Sequence, residues 1–196
     1  IREDSPSFEI LKNLGGKAEE VDIAPYVDLP NTWEEYLSSL DRHDRHEMKR
    51  KTRKRESENV LTVYSENITS DTNEFFRLMA LSSFQKRNFL SKDMQSFFRA
   101  VFQSLHALGK LELCFLQKEW KNIAAVVLFV FKDEVLLYNS GFDPLFSPLS
   151  PGFVLAALAI KNAIEKGRKR FDFLRGNERY KYDLGAKDDN LYQLEL

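Results

Sequence analysis

The sequence predicts one domain of the mixed α/β (α+β) class, with a mostly antiparallel central sheet, one parallel strand pair and helices on both faces. Residues 111–141 contain three strand-like apolar runs joined by the short polar links KEWK and KD, which are typical of an antiparallel meander. A helix at 151–166 leads into the short strand RFDFL, which indicates a right-handed crossover to a parallel neighbour. A chain of 196 residues with 43% hydrophobic residues can bury one core.

The chain begins with a segment of little regular pattern. Residues 1–31 are expected to form an irregular lead-in. Within it, residues 8–29 offer a strand, a Gly-Gly turn and a stretch broken by Pro25 and Pro30.

Helices are expected next. Asn31 or Thr32 can cap the first of them. Its apolar face would comprise Trp33, Tyr36, Leu37 and Leu40. Residues 42–58 also favour a helix, but Met48 is the only large apolar residue there, so this helix cannot belong to the core.

A strand at 60–64 (VLTVY) precedes two further amphipathic helices. A capping-box pattern at Asp71–Glu74 opens the first, and Ser91 opens the second, which stops at Gly109.

The helix at 151–166 has clear boundaries, with Ser150 at its cap, Pro151 at its first position and Gly167 just past its end. After RFDFL, a polar segment with a short helix at 176–189 precedes the last strand, NLYQLEL.

Charge is unevenly distributed around a net value of -1. Residues 1–41 hold three Lys/Arg and ten Asp/Glu, whereas residues 42–56 hold eight and three. Three readings of residues 42–55 stay open: a solvated charged helix, a site for an anionic partner such as tRNA, a phosphorylated substrate or a lipid surface, and a contact with protein outside this chain. No metal site is expected at His43 and His46, because no third ligand is near them in the sequence.

Cys114 is the single cysteine, which excludes a disulfide framework and favours a reducing compartment. The longest apolar runs, IAAVVLFVF and FVLAALAI, are shorter than the roughly 18 to 20 residues that a membrane-spanning helix needs. We therefore expect a cytoplasmic protein without a transmembrane segment. The first residue is Ile rather than Met, which indicates a piece of a longer protein.

Three stretches carry a family resemblance: WEEYL followed by the Arg-rich helix, YNSGFDPLFSPLSPGFVL, and FDFLRGNERYK. Together with the order of elements, they resemble the acyl-CoA-dependent N-acetyltransferases of the GNAT superfamily, and more narrowly its CelD-type and FemAB-like branch. The resemblance covers most of the chain from Trp33 onward. FemAB-like proteins resemble two GNAT-like domains in tandem, which implies that this chain is the C-terminal part and lacks an N-terminal domain.

The resemblance implies a GNAT-like fold in which the strand ending at Gly141 and the strand starting at Arg170 run parallel but splay apart. Acetyl-CoA or another acyl-CoA would bind in that gap as co-substrate, with no metal. Polar residues after the second strand would then line the cleft, because open α/β sheets bind ligands at such a break. These residues are Asp172, Arg175, Asn177, Glu178, Tyr180 and Lys181. Alternatively, Asp172 pairs with Arg175 or a lysine, and the others form a solvated helix end.

An amine nucleophile must lose a proton, and a thiolate leaving group must gain one. The catalytic candidates are Tyr180 or Tyr138 as the acid, and Glu178, Asp143 and Asp172 as carboxylates. Asn177 and Lys181 are candidates for substrate binding.

Backbone groups along the first strand of the gap, at Tyr138, Asn139 and Ser140, are candidates for binding the coenzyme, together with Arg175. The helix start is the second candidate, because the free N–H groups of a helix N-terminus suit a pyrophosphate. Leu149, Gly152 and Phe153 are the expected donors, with Ser150 beside them. The sequence departs here from the family loop Gln/Arg-x-x-Gly-x-Gly/Ala, since Pro148 and Pro151 remove two N–H donors. An ordinary capped helix is the alternative.

Three functions stay open. The first is an N-acyltransferase that uses acyl-CoA on a small amine or amino sugar, in polysaccharide or envelope synthesis. The second is a FemAB-like transferase whose donor is an aminoacyl-tRNA held by residues 42–55. The third is a non-catalytic GNAT-like binding module.

Overall fold

The computed structural model describes residues 1–3 and 5–195. The helices are α1 (Pro6–Asn13), α2 (Trp33–Ser39), α3 (Arg42–Ser57), α4 (Ile68–Ser82), α5 (Phe84–Phe89), α6 (Lys92–Ala107), α7 (Pro151–Glu165) and α8 (Arg179–Asp183). The strands are β1 (Lys17–Ile23), β2 (Tyr26–Asp28), β3 (Leu61–Tyr64), β4 (Leu111–Lys118), β5 (Lys121–Phe131), β6 (Glu134–Phe142), β7 (Arg170–Asp172) and β8 (Asn190–Glu195). A 3₁₀ helix spans Pro144–Leu149.

Six strands form the central sheet in the order β2-β7-β6-β5-β4-β3. Strands β3 to β6 are an antiparallel meander, and α7 carries the chain over the sheet to β7, which runs parallel to β6. Strand β2 adds to the far edge of β7 in the antiparallel sense. The predicted fold class, with its single parallel pair, is confirmed.

Strand β5 lies at the centre of the sheet and is buried on both faces, which explains its nearly continuous apolar run. Ala124, Val126 and Leu128 face a core that α2, α3 and α7 close. Ala125 and Val127 face a second core, which α4 and α6 close. Helices therefore cover both faces of the sheet, as predicted.

Helix α3 contributes a single buried side chain to the core, that of Met48, which is 1% exposed. The rest of the helix is polar. This arrangement agrees with the prediction of a charged helix on the surface of the domain.

The predicted irregular lead-in over residues 1–31 is wrong. Helix α1 begins where Ser5 Oγ accepts a hydrogen bond from the Ser7 N–H and Pro6 takes the first position. Strand β1 then pairs with β8 in a separate two-stranded antiparallel sheet. The predicted last strand is therefore present, but outside the central sheet. Leu196, its final residue, lies outside the described residues.

Two helix predictions also need correction. Helix α4 begins at Ile68, one turn earlier than the capping-box pattern predicts, because Asn67 Oδ1 accepts hydrogen bonds from the N–H groups of Thr69 and Ser70. Helix α5 was not predicted. It is short and has no buried side chain, so it leaves no apolar stripe in the sequence.

Candidate functional site

The parallel strands β6 and β7 are paired over only three residues and then separate. The paired residues run from Glu134 opposite Arg170 to Leu136 opposite Asp172. Strand β6 continues to Phe142, whereas the chain after β7 turns away, with the Phe173 N–H bound to Pro25 O. The splayed gap that the resemblance implies is therefore present.

Two cavities open at this gap. The main cavity, of about 450 Å³, lies between β6, the start of α7 and the end of α4. The second cavity, of about 370 Å³, lies between β6 and the loop that follows β7. Five residues line both cavities: Lys86, Leu137, Ser140, Glu178 and Tyr180. A ligand in one cavity would thus meet a ligand in the other at these side chains.

The main-chain groups of Ser140 face the gap. Ser140 lies opposite Val126 on β5, but its N–H donates to Asn139 Oδ1 at 2.8 Å and its carbonyl accepts from Lys86 Nζ at 2.6 Å. In an antiparallel pair, residues alternate between bonding the neighbouring strand and facing away from it. A β-bulge lies just before Ser140, with Tyr138 as its extra residue. The bulge determines which residues of β6 bond to β5 and which face away from it.

The start of α7 forms one wall of the main cavity through Ser150, Gly152 and Phe153. Ser150 occupies the N-cap position as predicted, but its backbone is left-handed (φ 49°) and its hydroxyl makes no capping hydrogen bond. The capping hydrogen bond that the N-cap position of Ser150 predicts is therefore not made. Ser150 lines the cavity, and the N–H groups of Gly152 and Phe153 precede the first helical hydrogen bond.

Glu178 and Tyr180 are the predicted catalytic residues that line both cavities, whereas Tyr138 lines only the second. Burial alone would raise the pKa of Glu178, but hydrogen bonds from the Lys181 ammonium and its own backbone outweigh burial and leave the pKa below its usual value. Burial raises the pKa of Tyr180, with a further contribution from the Glu178 charge. At neutral pH the site therefore holds a carboxylate that can accept a proton and a phenol that can donate one.

Lys181 is buried, and its ammonium has four protein partners. It donates to the carbonyls of Leu174, Arg175 and Gly176 at 3.3, 3.1 and 2.8 Å, and it pairs with Glu178 at 2.8 Å. These bonds fix the loop after β7, where Leu174 has a φ of 56°. Lys181 thus positions Glu178, and a contact between Lys181 and substrate stays a prediction.

Asp172 and Asp143 do not line either cavity in the described part of the chain. Asp172 is fully buried, pairs with Arg2 and accepts a hydrogen bond from the Leu174 N–H. Its predicted alternative partner, Arg175, pairs with Asp22 instead. Asp143 pairs with Lys121 at 2.8 Å and caps the 3₁₀ helix through the Leu145 N–H. Both carboxylates have structural partners, and neither faces the gap.

The remaining predicted residues are divided among the second cavity, the core and the surface. Tyr138, Asn139 and Arg175 line the second cavity. Leu149 packs against the core, and Asn177 is exposed on the loop before α8.

Lys86 also lies at the gap, although no pattern in the sequence singles it out. It lies on α5, lines both cavities and reaches the Ser140 carbonyl on β6. Burial lowers its pKa, and the nearby Glu178 charge offsets part of that effect. A signal for it would have needed the position of α5 against β6, which no local pattern reveals.

The basic face of α3 reaches the start of α7. Lys54 Nζ donates to Pro148 O at 2.8 Å, and Lys51 Nζ lies 3.9 Å from the centre of the Phe153 ring. Lys49, Arg50 and Arg53 are exposed along the same helix. Positive charge therefore borders the main cavity on the side where α7 begins.

Within residues 1–3 and 5–195, no cluster of three His, Cys, Asp or Glu side chains has the arrangement of a metal site. The helices in the same residues are too short or too polar to cross a bilayer.

Solved structures share the fold at low sequence identity. FemX superposes with a TM-score of 0.72 and 13% identity, over 96% of this chain and 68% of that one. L-PGS from Bacillus licheniformis superposes with a TM-score of 0.68 and 11% identity, over 99% of this chain and 65% of that one. The glucosamine N-acetyltransferase region of a fungal multidomain β-N-acetylglucosaminidase superposes with a TM-score of 0.56 and 12% identity, over 99% of this chain and 23% of that one. The chain thus spans about two thirds of the length of FemX and of L-PGS.

No curated protein matches the sequence. The family model of the acetyltransferase (GNAT) domain, Acetyltransf_6, matches residues 42–182, which include α3, the meander, α7 and both strands of the gap. The chain belongs to this GNAT acetyltransferase family.

Proposed function

We propose that this chain is an N-acyltransferase that moves an acetyl or other acyl group from acyl-CoA to the amine of a small molecule or an amino sugar, in polysaccharide or envelope synthesis. One observation carries the proposal: β6 and β7 separate after three paired residues and leave a cavity of about 450 Å³ beside the start of α7. Free strand edges and helix N–H groups at such a break suit an extended phosphorylated donor.

In the proposed reaction, the donor lies in the main cavity and the amine enters from the second cavity. The amine nitrogen attacks the thioester carbon, a C–N bond forms and the C–S bond breaks. Glu178 accepts the proton that the amine loses, and the Tyr180 hydroxyl donates one to the departing thiolate. Both side chains line both cavities, which is the position these roles need.

The amino-sugar acceptor is supported by one structural relative, which is named as a glucosamine N-acetyltransferase region. We further propose that the chain is the C-terminal GNAT-like unit of a longer tandem protein, since it spans about two thirds of FemX.

Isothermal titration tests donor binding. We expect coenzyme A to bind the chain saturably at one site, because the main cavity is open beside the start of α7. Gly152→Leu should abolish binding, because Gly152 and Phe142 both line the main cavity and a leucine side chain at position 152 would extend toward Phe142. Lys161→Leu, at the far end of the same helix, is the matched control and should bind normally. No binding by this chain or by the longer protein would favour a non-catalytic module.

An aminoacyl-tRNA donor is the second candidate, and the exposed basic face of α3 beside the main cavity favours it. The test is binding of deacylated tRNA to the chain and to a variant with Lys49, Arg50, Arg53 and Lys54 changed to Gln. With four phosphates neutralised, affinity should fall roughly 50-fold between about 50 and 200 mM salt, and the variant should lose most of this dependence.

A variant with Lys12, Lys17, Lys110 and Lys132 changed to Gln removes the same charge elsewhere and is the control. Equal tRNA binding by the two variants would exclude a specific role of α3 in holding tRNA. If the donor is a coenzyme instead, neither variant should change turnover much.

A further inference from the structure

Lys86 is an ammonium in an unusual place for a structural lysine. It projects from the short helix α5 to the Ser140 carbonyl, which faces the gap, and it lines both cavities. It therefore lies where a donor in the main cavity and an acceptor in the second cavity would meet.

The contacts of this ammonium leave part of it unused. A lysine ammonium has three N–H donors. Among the described residues, the Ser140 carbonyl is its one hydrogen-bond acceptor, and no carboxylate lies within ion-pair distance of Nζ. A partly buried ammonium with one neutral hydrogen-bond acceptor is costly, and such costs are typical of functional sites. Lys181 on α8 differs from Lys86, because its ammonium has four protein partners.

We propose that Lys86 is a further catalytic residue, whose ammonium donates a hydrogen bond to the carbonyl oxygen of the acyl donor and stabilises the negative charge that develops there. This inference rests on the proposed acyl-transfer function. As the amine nitrogen bonds to the carbonyl carbon, the π electron pair moves onto the oxygen beside Lys86. The pair then returns, the C–S bond breaks and the thiolate leaves. Lys86 keeps its own proton throughout.

A purely structural role would make Lys86 a tie between α5 and β6 through the Ser140 carbonyl. The two roles differ in what they require. A tie needs only a hydrogen-bond donor, whereas oxyanion stabilisation needs a donor, preferably charged, that contacts the acyl group of the bound donor and not the coenzyme alone.

The test compares wild type with Lys86→Met, Lys86→Arg and the control Lys92→Met, which removes an exposed lysine from the first turn of α6. The probe is acetyl-CoA labelled with ¹³C at the carbonyl, observed bound to the protein by NMR. Relative to free acetyl-CoA, the bound carbonyl signal should move downfield in wild type and in Lys92→Met. This shift should be lost in Lys86→Met and partly recovered in Lys86→Arg. Turnover by Lys86→Met should fall about 100-fold, the usual effect of losing one oxyanion donor.

Coenzyme A, which has no acyl group, should bind Lys86→Met with nearly unchanged affinity. A bound carbonyl signal in Lys86→Met identical to that of wild type would overturn the inference but leave the proposed function intact. Failure of wild type to bind acetyl-CoA would overturn both. If Lys86→Met does not fold, Lys86→Gln supplies the comparison, because its amide keeps a donor near Ser140 O without the charge.

Discussion

Gly141→Ala should lower the free energy of unfolding by about 3 kcal/mol or more, which is the upper range for overpacking a core. Gly141 lies on β6 directly under α4. A Cβ at this position would lie 2.5 Å from Leu78 C and closer still to Met79 N. Because these are backbone atoms of a packed helix, no rotamer change can relieve the overlap, and α4 must move away from the sheet. Urea denaturation followed by circular dichroism measures the change.

Gly152→Ala is the matched control for that experiment. A Cβ at Gly152 would lie 3.8 Å from the Phe142 ring, which is an ordinary contact. Gly152 is in the first turn of α7, where alanine is a better helix former than glycine. The urea midpoint of Gly152→Ala should therefore equal or exceed that of wild type. Equal destabilisation by the two variants would show that α4 does not lie against β6 as described.

Asp172→Asn should cost about 3 kcal/mol of stability, the usual result of removing one partner from a buried ion pair. Asp172 is fully buried and pairs with Arg2, while Arg170 lies 3.9 Å away. Both guanidinium groups also pair with Asp189, but the neutral amide at position 172 no longer offsets their charge. The loss should be seen as a lower urea midpoint without a change in m-value.

The control for Asp172→Asn is Glu47→Gln, which breaks an exposed pair with Arg50 on α3. Exposed pairs contribute little, so this variant should unfold like wild type. The comparison also separates structure from catalysis. If Asp172→Asn is as stable as wild type but inactive, the buried pair is not structural and the predicted catalytic role of Asp172 returns.

The parts of the fold that the sequence predicted are those with strong local patterns. The meander is readable because KEWK and KD are too short for anything except antiparallel connections. Helix α7 is readable from Ser150, Pro151 and Gly167. The same Ser-Pro pattern opens α1 at Ser5 and Pro6, so that helix is also predictable from the sequence.

Strand β1 could not have been predicted locally. Five of its seven residues are exposed, so it has no apolar alternation, and its partner β8 is distant in the sequence. Strand β2 has only three residues between two prolines and is held by β7. Pairing over such distances depends on the assembled sheet and not on the intrinsic preference of either segment.

The candidate site was partly predictable for a similar reason. Glu178 and Tyr180 follow a core strand at a topological break, and the structure brings both to the gap. Asp172 is on the same stretch, but its side chain points into the buried pair with Arg2. Lys86 is distant from all of them in sequence, and only the packing of α5 against β6 brings it to Ser140.

The proposed reaction requires an acyl donor in the gap between β6 and β7. Titration of the ¹⁵N-labelled chain with coenzyme A tests it by backbone amide NMR. With the donor in the gap, the largest shifts should occur at Ser140 to Phe142 on β6 and at Gly152 and Phe153 on α7. Shifts confined to α3, or no saturable shifts, would contradict it.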